Sequence, residues 1–476
     1  MTARRLLWGA MAAYGAGFAA LSALRHRAFE TGRFDLGNMV QAVWSTAHGH
    51  PLQMTNLQGE QVSRLGSHVD PLLAAFAPAW WIWPRPELLL TVQAIAVALG
   101  ALPVFWLARK HLHSETAALG FALAYLLYPP IQWATLSEFH PVVLSCPLLL
   151  YAIWYLDENR LGAFAVFAVL AALGKEEIGL VIAAAGVWYG VSHRRLRAGA
   201  VIAVLGVAAT MIAVEVVVPH FHEGPSPFLG RYRAVGGTPG GILKNLVIDP
   251  GVVLGKAFDA RGVRYLLALV LPLAGLSLLA PLALVIAVPE IALNLLSSVT
   301  TQQSVEQHYA AGATPGLVVA AVFGAVRLAR HRQPVAIVAS VAVAAGLVAN
   351  LRLGALPWKH RVRDLVSVSA HDDAARRVLA RVPAGVGVSA TNTLGAHLSA
   401  RRRILSFPRT DGVDWVAVDA TRPSILDRAS PGEDGDRAVA ALRRGRRWRL
   451  VASDSGVLLF VRRGSPAART TPPLRP

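Results

Sequence analysis

The chain has 476 residues, 54% of them hydrophobic and 16% charged, with a mean hydropathy of +0.46. Soluble domains carry about a quarter charged residues, so this composition excludes an ordinary soluble fold and points to a lipid bilayer. Lys+Arg 46 against Asp+Glu 28 leave a net charge of +18, which suits anionic headgroups or topology-setting loops; the scatter of these residues argues against nucleic acid as a partner.

Arg4-Arg5 precede an apolar run from Leu6 to Leu24, long enough to cross about 30 Å of hydrocarbon. The many later apolar runs favour an uncleaved first helix over a signal peptide, with Arg4-Arg5 and the N-terminus cytoplasmic. A long polar loop, 25–87, follows on the outer side. Within it Asp35 precedes an amphipathic pattern (Leu36, Met39, Val40, Val43), and Pro71–Trp83 reads as a half-buried or re-entrant segment ending in Trp80-Trp81-Ile82-Trp83. Further crossings are expected at about 88–108, 115–133, 141–156, 161–174, 178–192, 198–218, 264–280, 281–297, 312–328 and 334–352, making about eleven. This count puts Arg109-Lys110, the 193–197 cluster and Arg327, Arg330 and Arg332 on the Arg4-Arg5 side, as the positive-inside rule requires. Reading 161–192 as one crossing would break that agreement. The loop 219–263 runs against the rule, placing Arg231, Arg233, Lys244, Lys256 and Arg261 outside.

After Arg352 the composition becomes that of a soluble domain. His371–Val382 has helical spacing behind Ser369, a capping residue. Short buried strands are expected at 385–389, 403–407 and 415–419, a helix near 434–445, and a hairpin in which Asp454-Ser455-Gly456 joins 448–452 to 457–461. The expected domains are therefore a transmembrane part (1–352, with outer loops 25–87 and 219–263), an extracytoplasmic α/β domain (353–464) and a disordered tail (465–476). No internal repeat is visible. The lone cysteine, Cys146, sits in an apolar run and supports no disulfide framework.

Charged groups inside or at the outer ends of spans are costly, which makes each a candidate for function. In this topology they gather on the outer side: Asp35 and His68-Val69-Asp70-Pro71 in the first loop, Glu138-Phe139-His140-Pro141 in the second, Lys175-Glu176-Glu177 after the fifth span, and His308-Tyr309 after the ninth. Each also has a plainer reading. Asp35 and Asp70 could cap helices, Glu138 and His140 could form a solvated turn, Lys175-Glu176-Glu177 could be a snorkelling ion pair, and His308 could be idle. Carboxylates from separate loops can act as general base or metal ligands, and nearby histidines and Arg/Lys can hold a phosphate. A lipid phosphate would account for the basic loop 219–263. No glycine-rich phosphate loop, HExxH or GxSxG is present, so ATPase, zincin and serine-hydrolase chemistry are unsupported.

Phe34-Asp35-Leu36-Gly37 with Gln41 and Trp44, His68-x-Asp70-Pro71, Glu138-Phe139-His140-Pro141, Gly174-Lys175-Glu176-Glu177 and His308-Tyr309 together resemble a bacterial family of membrane proteins, domain of unknown function 2079. That family in turn resembles the GT-C glycosyltransferase superfamily. The resemblance implies an α-helical polytopic fold with an extracytoplasmic C-terminal domain, Asp35 as the first acidic position and Glu138 as the second. Asp35 stands alone where many such enzymes carry paired acids.

The expected activity is sugar transfer from a polyprenyl-phosphate donor at the outer face, with Asp35 as base. Glu138 and His140 would bind a divalent ion (magnesium or manganese) or orient the acceptor. Lys175, His308 and Arg231 or Arg233 would neutralise the departing phosphate, with His68, Asp70, Glu176 and Tyr309 completing the site. A transporter or flippase of an anionic or lipid-linked solute, and a non-catalytic scaffold, are the alternatives.

Overall fold

The computed structural model describes residues 2–224, 226, 228–331, 333–428 and 435–470. It divides into two units, one of residues 1–20, 65–72 and 90–362, the other of 21–64, 73–89 and 363–476.

The first unit is helical. Among the described residues, four helices are long and apolar enough to cross a membrane: Ala3–Arg27, Glu87–Leu112, Leu196–His222 and Val335–Leu353. Val204 and Leu205 on the third are 66% and 63% exposed, which is the lipid-facing signature of an apolar helix. Shorter apolar helices include Glu115–Leu126, Pro141–Asp157, Leu161–Ala172, Ile178–Ser192 and Pro281–Leu296. The expected count of eleven is therefore not carried by length and apolarity. The crossing expected at 264–280 breaks up physically: Ala260–Val270 gives way at Pro272, and Ala274 and Gly275 take left-handed backbone before the turn Leu276–Leu279. The stretch 161–192 is two helices, separated by the turn Gly174-Lys175-Glu176-Glu177.

Small residues bring these helices into close contact. A Cβ on Gly199 would stand 2.5 Å from the Cα of Gly190, and one on Gly206 would stand 2.5 Å from the Gly179 carbonyl oxygen. Helix pairs pack this tightly where backbone meets backbone without intervening side chains.

The second unit is built on a five-stranded sheet. After a short antiparallel ribbon in the first loop, β1 (Gln53–Thr55) and β2 (Gln61–Ser63), come β3 (Val388–Ala390), β4 (Ile404–Ser406), β5 (Trp415–Asp419), β6 (Trp448–Asp454) and β7 (Val457–Arg462). The sheet order is β4-β3-β5-β7-β6, with β3 parallel to β4 and β5, and β7 antiparallel to β5 and β6. Ser455 and Gly456 both have positive φ, the conformation a two-residue hairpin turn needs. The helix Ala370–Leu379 starts with a capping box, Ser369 with Asp372. Where a disordered tail was expected from 465, Pro466–Thr470 is helical; 471–476 lie outside the described residues.

Much of the loop 25–87, grouped with the membrane helices on sequence, belongs to this second unit. Arg33 is the physical reason. Its fully buried guanidinium donates to the carbonyls of Thr55 and Ile404 (2.7 Å each) and to the Ser406 hydroxyl (2.6 Å). Gln41 adds donations to the Arg401 and Arg402 carbonyls. Trp80, expected at the membrane interface with its neighbours, is buried, whereas Trp81 and Ile82 are 68% and 88% exposed.

Candidate functional site

The turn between Leu161–Ala172 and Ile178–Ser192 anchors the site. Gly174 allows it, because a Cβ there would overlap the Ser145 hydroxyl and come 2.9 Å from the Pro141 carbonyl oxygen. The turn is thus pressed onto the start of Pro141–Asp157, directly after His140. The Leu72 amide donates to the Leu173 carbonyl (3.0 Å), fastening the His68–Pro71 segment to the same turn.

Most of the expected residues of the first unit meet here. His68 Nδ1 lies 2.9 Å from Glu176 Oε1, and the Val69 amide donates to Glu176 Oε2 at 3.0 Å. The His68 ring stacks on Phe228 (4.4 Å), and the Arg231 guanidinium covers the same ring (4.3 Å). Lys175 pairs with Glu177 at 2.5 Å and lies 5.8 Å from the Tyr309 ring centre. His308 stacks on His140 (3.6 Å) and lies tilted against Tyr309 (4.2 Å). Stretches from five places in the chain therefore form one polar group.

Glu138 and His140 flank a strained turn. Glu138 has φ +79, a conformation costly for a side-chain-bearing residue. Gln93 holds it: its amide donates to the Glu138 carbonyl (2.7 Å), and its oxygen accepts from the His140 amide (3.0 Å). Asp70 is buried at the start of the turn Pro71–Phe76. Arg233 is exposed, in the last turn of Leu229–Val235. Asp35 belongs to the second unit. It is not a cap: Gly32 holds the N-cap position, and Asp35 is exposed inside the turn Arg33–Gly37 that leads into Asn38–Ala47.

Electrostatics sort the roles. Burial raises the Glu176 carboxyl, but His68 and Lys175 more than offset it and hold the group at about 2. Burial lowers the Lys175 ammonium, yet the carboxylates of Glu177, Glu176 and Glu290 hold it above its usual value. His308 lies well below the usual histidine range through burial, with His140 and Lys175 adding to the effect. Its contribution to the group is ring packing against His140 and Tyr309 rather than positive charge.

Three participants were missed on sequence. Glu290, 3% exposed in Val288–Leu296, faces Lys175, and Gly312 leaves room for its Oε2. A lone carboxylate in an apolar run was a readable signal for it. Phe228 and Tyr232 carry no such signal. Among the described residues, no group of three His, Cys, Asp or Glu side chains could hold a metal ion, so Glu138 and His140 lack a third ligand of these types.

The opposite ends of these helices meet at a different hub. Asp157 receives Lys110 (2.7 Å) and His111 (2.9 Å), with His193 at 3.6 Å. The run Arg194-Arg195-Leu196-Arg197 follows directly.

Long apolar helices with charged clusters at their ends define a polytopic membrane protein. The chain belongs to the family described as predicted membrane protein (DUF2079), whose model matches residues 25–459. Among solved structures, that of ArnT from Cupriavidus metallidurans in the apo state is similar, with TM-score 0.49 and 13% sequence identity over 90% of this chain and 93% of that one. No curated protein matches the sequence.

Proposed function

We propose that this protein is a membrane glycosyltransferase of the GT-C kind, moving a sugar from a polyprenyl-phosphate donor to an acceptor at the extracytoplasmic face. The observation that carries the reading is the polar group itself: His68, Glu176, Lys175, His140 and His308 collect at one end of the helices. The Asp157 hub and the 194–197 basic run mark the other end, which the positive-inside rule assigns to the cytoplasm.

In the transfer, an acceptor oxygen bonds to the anomeric carbon as the bond to the lipid phosphate breaks. The acceptor proton passes to a carboxylate, and the polyprenyl phosphate leaves with the electron pair. Lys175 is already neutralised by Glu177, so it serves the carboxylates rather than the phosphate. Arg231, over Phe228, and exposed Arg233 are the cations left for the leaving group. Glu176, held ionised at about 2, is too weak a base and acts as an anchor for His68. Asp35 and Glu138 remain the candidate bases.

The test is purified full-length protein with a panel of polyprenyl-phosphate sugars, read by mass spectrometry of released lipid phosphate. Release from one donor class, lost in Arg231→Ala, is expected. Silence across the panel, with solute flux in proteoliposomes, would instead favour a transporter. That second reading has its own support: Glu290 lies in the broken stretch Pro281–Leu296, and interrupted helices with buried charge suit solute passage.

A further inference from the structure

The second unit carries charge that neither reading uses. The helix Gly435–Arg444 ends in Arg443-Arg444, the turn after it holds Arg446-Arg447, and β7 closes with Arg462, followed directly by Arg463. Sheet pairing brings the three stretches to one end of the sheet. Trp448 is the register partner of Arg462, and the Arg463 amide donates to the Arg447 carbonyl at 2.8 Å. Arg443, Arg444, Arg446, Arg447 and Arg463 are exposed. Among the described residues the one carboxylate paired with this group is Asp414, bonded to Arg462 at 2.7 Å.

Plainer explanations cover only part of it. Cations at a helix C-terminus complement its dipole, which accounts for Arg443 and Arg444. Charged residues guard an edge strand such as β6 against pairing, but Arg446 and Arg447 precede the strand. Setting Arg447 beside Arg463, just past the paired ends of β6 and β7, brings like charges together, which is unfavourable unless anions gather there.

We infer that this arginine corner is a docking surface for the anionic phospholipid headgroups of the bilayer that holds the chain. Every basic residue after Lys359 is arginine or histidine, and the guanidinium fork binds phosphate oxygens in pairs where lysine offers a point charge. Only residues 354–362 separate the apolar helix Val335–Leu353 from the C-terminal segment of this unit, a reach of at most about 30 Å. Headgroups are therefore always near this unit, whereas a soluble polyanion must arrive by diffusion. Each arginine near an anionic surface is worth roughly a fivefold gain in surface affinity.

The experiment uses the full-length chain in nanodiscs of phosphatidylcholine alone or mixed with phosphatidylglycerol, read by amide hydrogen exchange over residues 443–449 and 462–463. Expected is roughly tenfold slower exchange with phosphatidylglycerol, reversed by high salt. The triple variant Arg444→Glu/Arg446→Glu/Arg447→Glu should lose that protection while keeping the exchange pattern of β5 and β7. Equal exchange in both lipids overturns the inference, as does protection retained in the triple variant. Protection by soluble polyphosphate, at equal phosphate concentration, that equals or exceeds that from phosphatidylglycerol would assign the corner to a soluble polyanion instead. None of these outcomes depends on glycosyl transfer.

Discussion

His68 Nδ1 stands 2.9 Å from Glu176 Oε1, although 108 positions separate the two residues in the chain. The pairing holds the first-loop segment against the turn after the fifth expected span, and it makes stability depend on pH. Glu176 titrates lower in the folded state than its ordinary value of 4.5, so its contribution is complete above that value and is lost as pH falls toward about 2. His308 is also lowered, by burial, and its contribution is complete above about 6.5 and drains away below it, because the unfolded chain takes up the proton first. The Tm of detergent-solubilised protein should therefore fall in two stages, beginning near pH 6.5 and steepening below pH 4.5. His308→Phe, which keeps a ring against His140, should shrink the first stage, the remainder coming from buried His397, likewise held well below the usual histidine range by burial. A Tm flat from pH 7 to 5 in the wild type would contradict it.

Much of this was legible beforehand. The C-terminal strands, the Ser369 cap and the 455–456 turn were readable because alternation, capping and turn chemistry act over a few residues. Residues gathered at one end of the helices were identifiable as a set because charge beside an apolar span is conspicuous. What sequence could not supply was long-range partnership. Nothing near Arg33 announces that Thr55 and Ile404 will receive its guanidinium, and that contact draws the first loop into the sheet unit. Likewise the local pairing of Lys175 with Glu177 was one of its sequence readings, but nothing near Lys175 announces that Glu290 will face it.

Gly174→Ala should damage the site from below. The added methyl would collide with the Ser145 hydroxyl and the Pro141 carbonyl, both fixed at the start of a helix, so the turn must lift. Overpacking of this kind costs about 1–3 kcal/mol. A drop of several degrees in Tm is expected, together with faster hydrogen exchange across 173–178. Ser145→Ala in the same background should recover part of the loss, and no recovery would argue that the carbonyl, not the hydroxyl, is the obstacle.

Arg33→Met tests the second unit. The change keeps an apolar stem but leaves the Thr55 and Ile404 carbonyls and the Ser406 hydroxyl without their donor. Each buried polar group abandoned in this way costs about 1–3 kcal/mol. The ribbon β1–β2 should become protease-sensitive while the helices of the first unit keep their exchange protection. Wild-type resistance between residues 53 and 63 would show that the ribbon is held by other contacts.

Asp35 separates a catalytic role from a structural one. Its turn is clamped on both sides: Arg33 and Leu36 are fully buried, and a Cβ on Gly37 would stand 2.6 Å from the Ser399 hydroxyl. Exposed Asp35 is thus presented on rigid backbone, and Asp35→Asn alters charge and basicity with almost no change of shape. If Asp35 only complements the start of Asn38–Ala47, the variant loses about 0.3–1 kcal/mol of stability and nothing else. If it takes the acceptor proton, transfer falls by about 10²–10⁴-fold while membrane insertion and Tm hold, and Asp35→Glu restores part of the rate. Mass spectrometry of released lipid phosphate distinguishes the two, and a fully active Asn variant would leave Glu138 as the remaining candidate base.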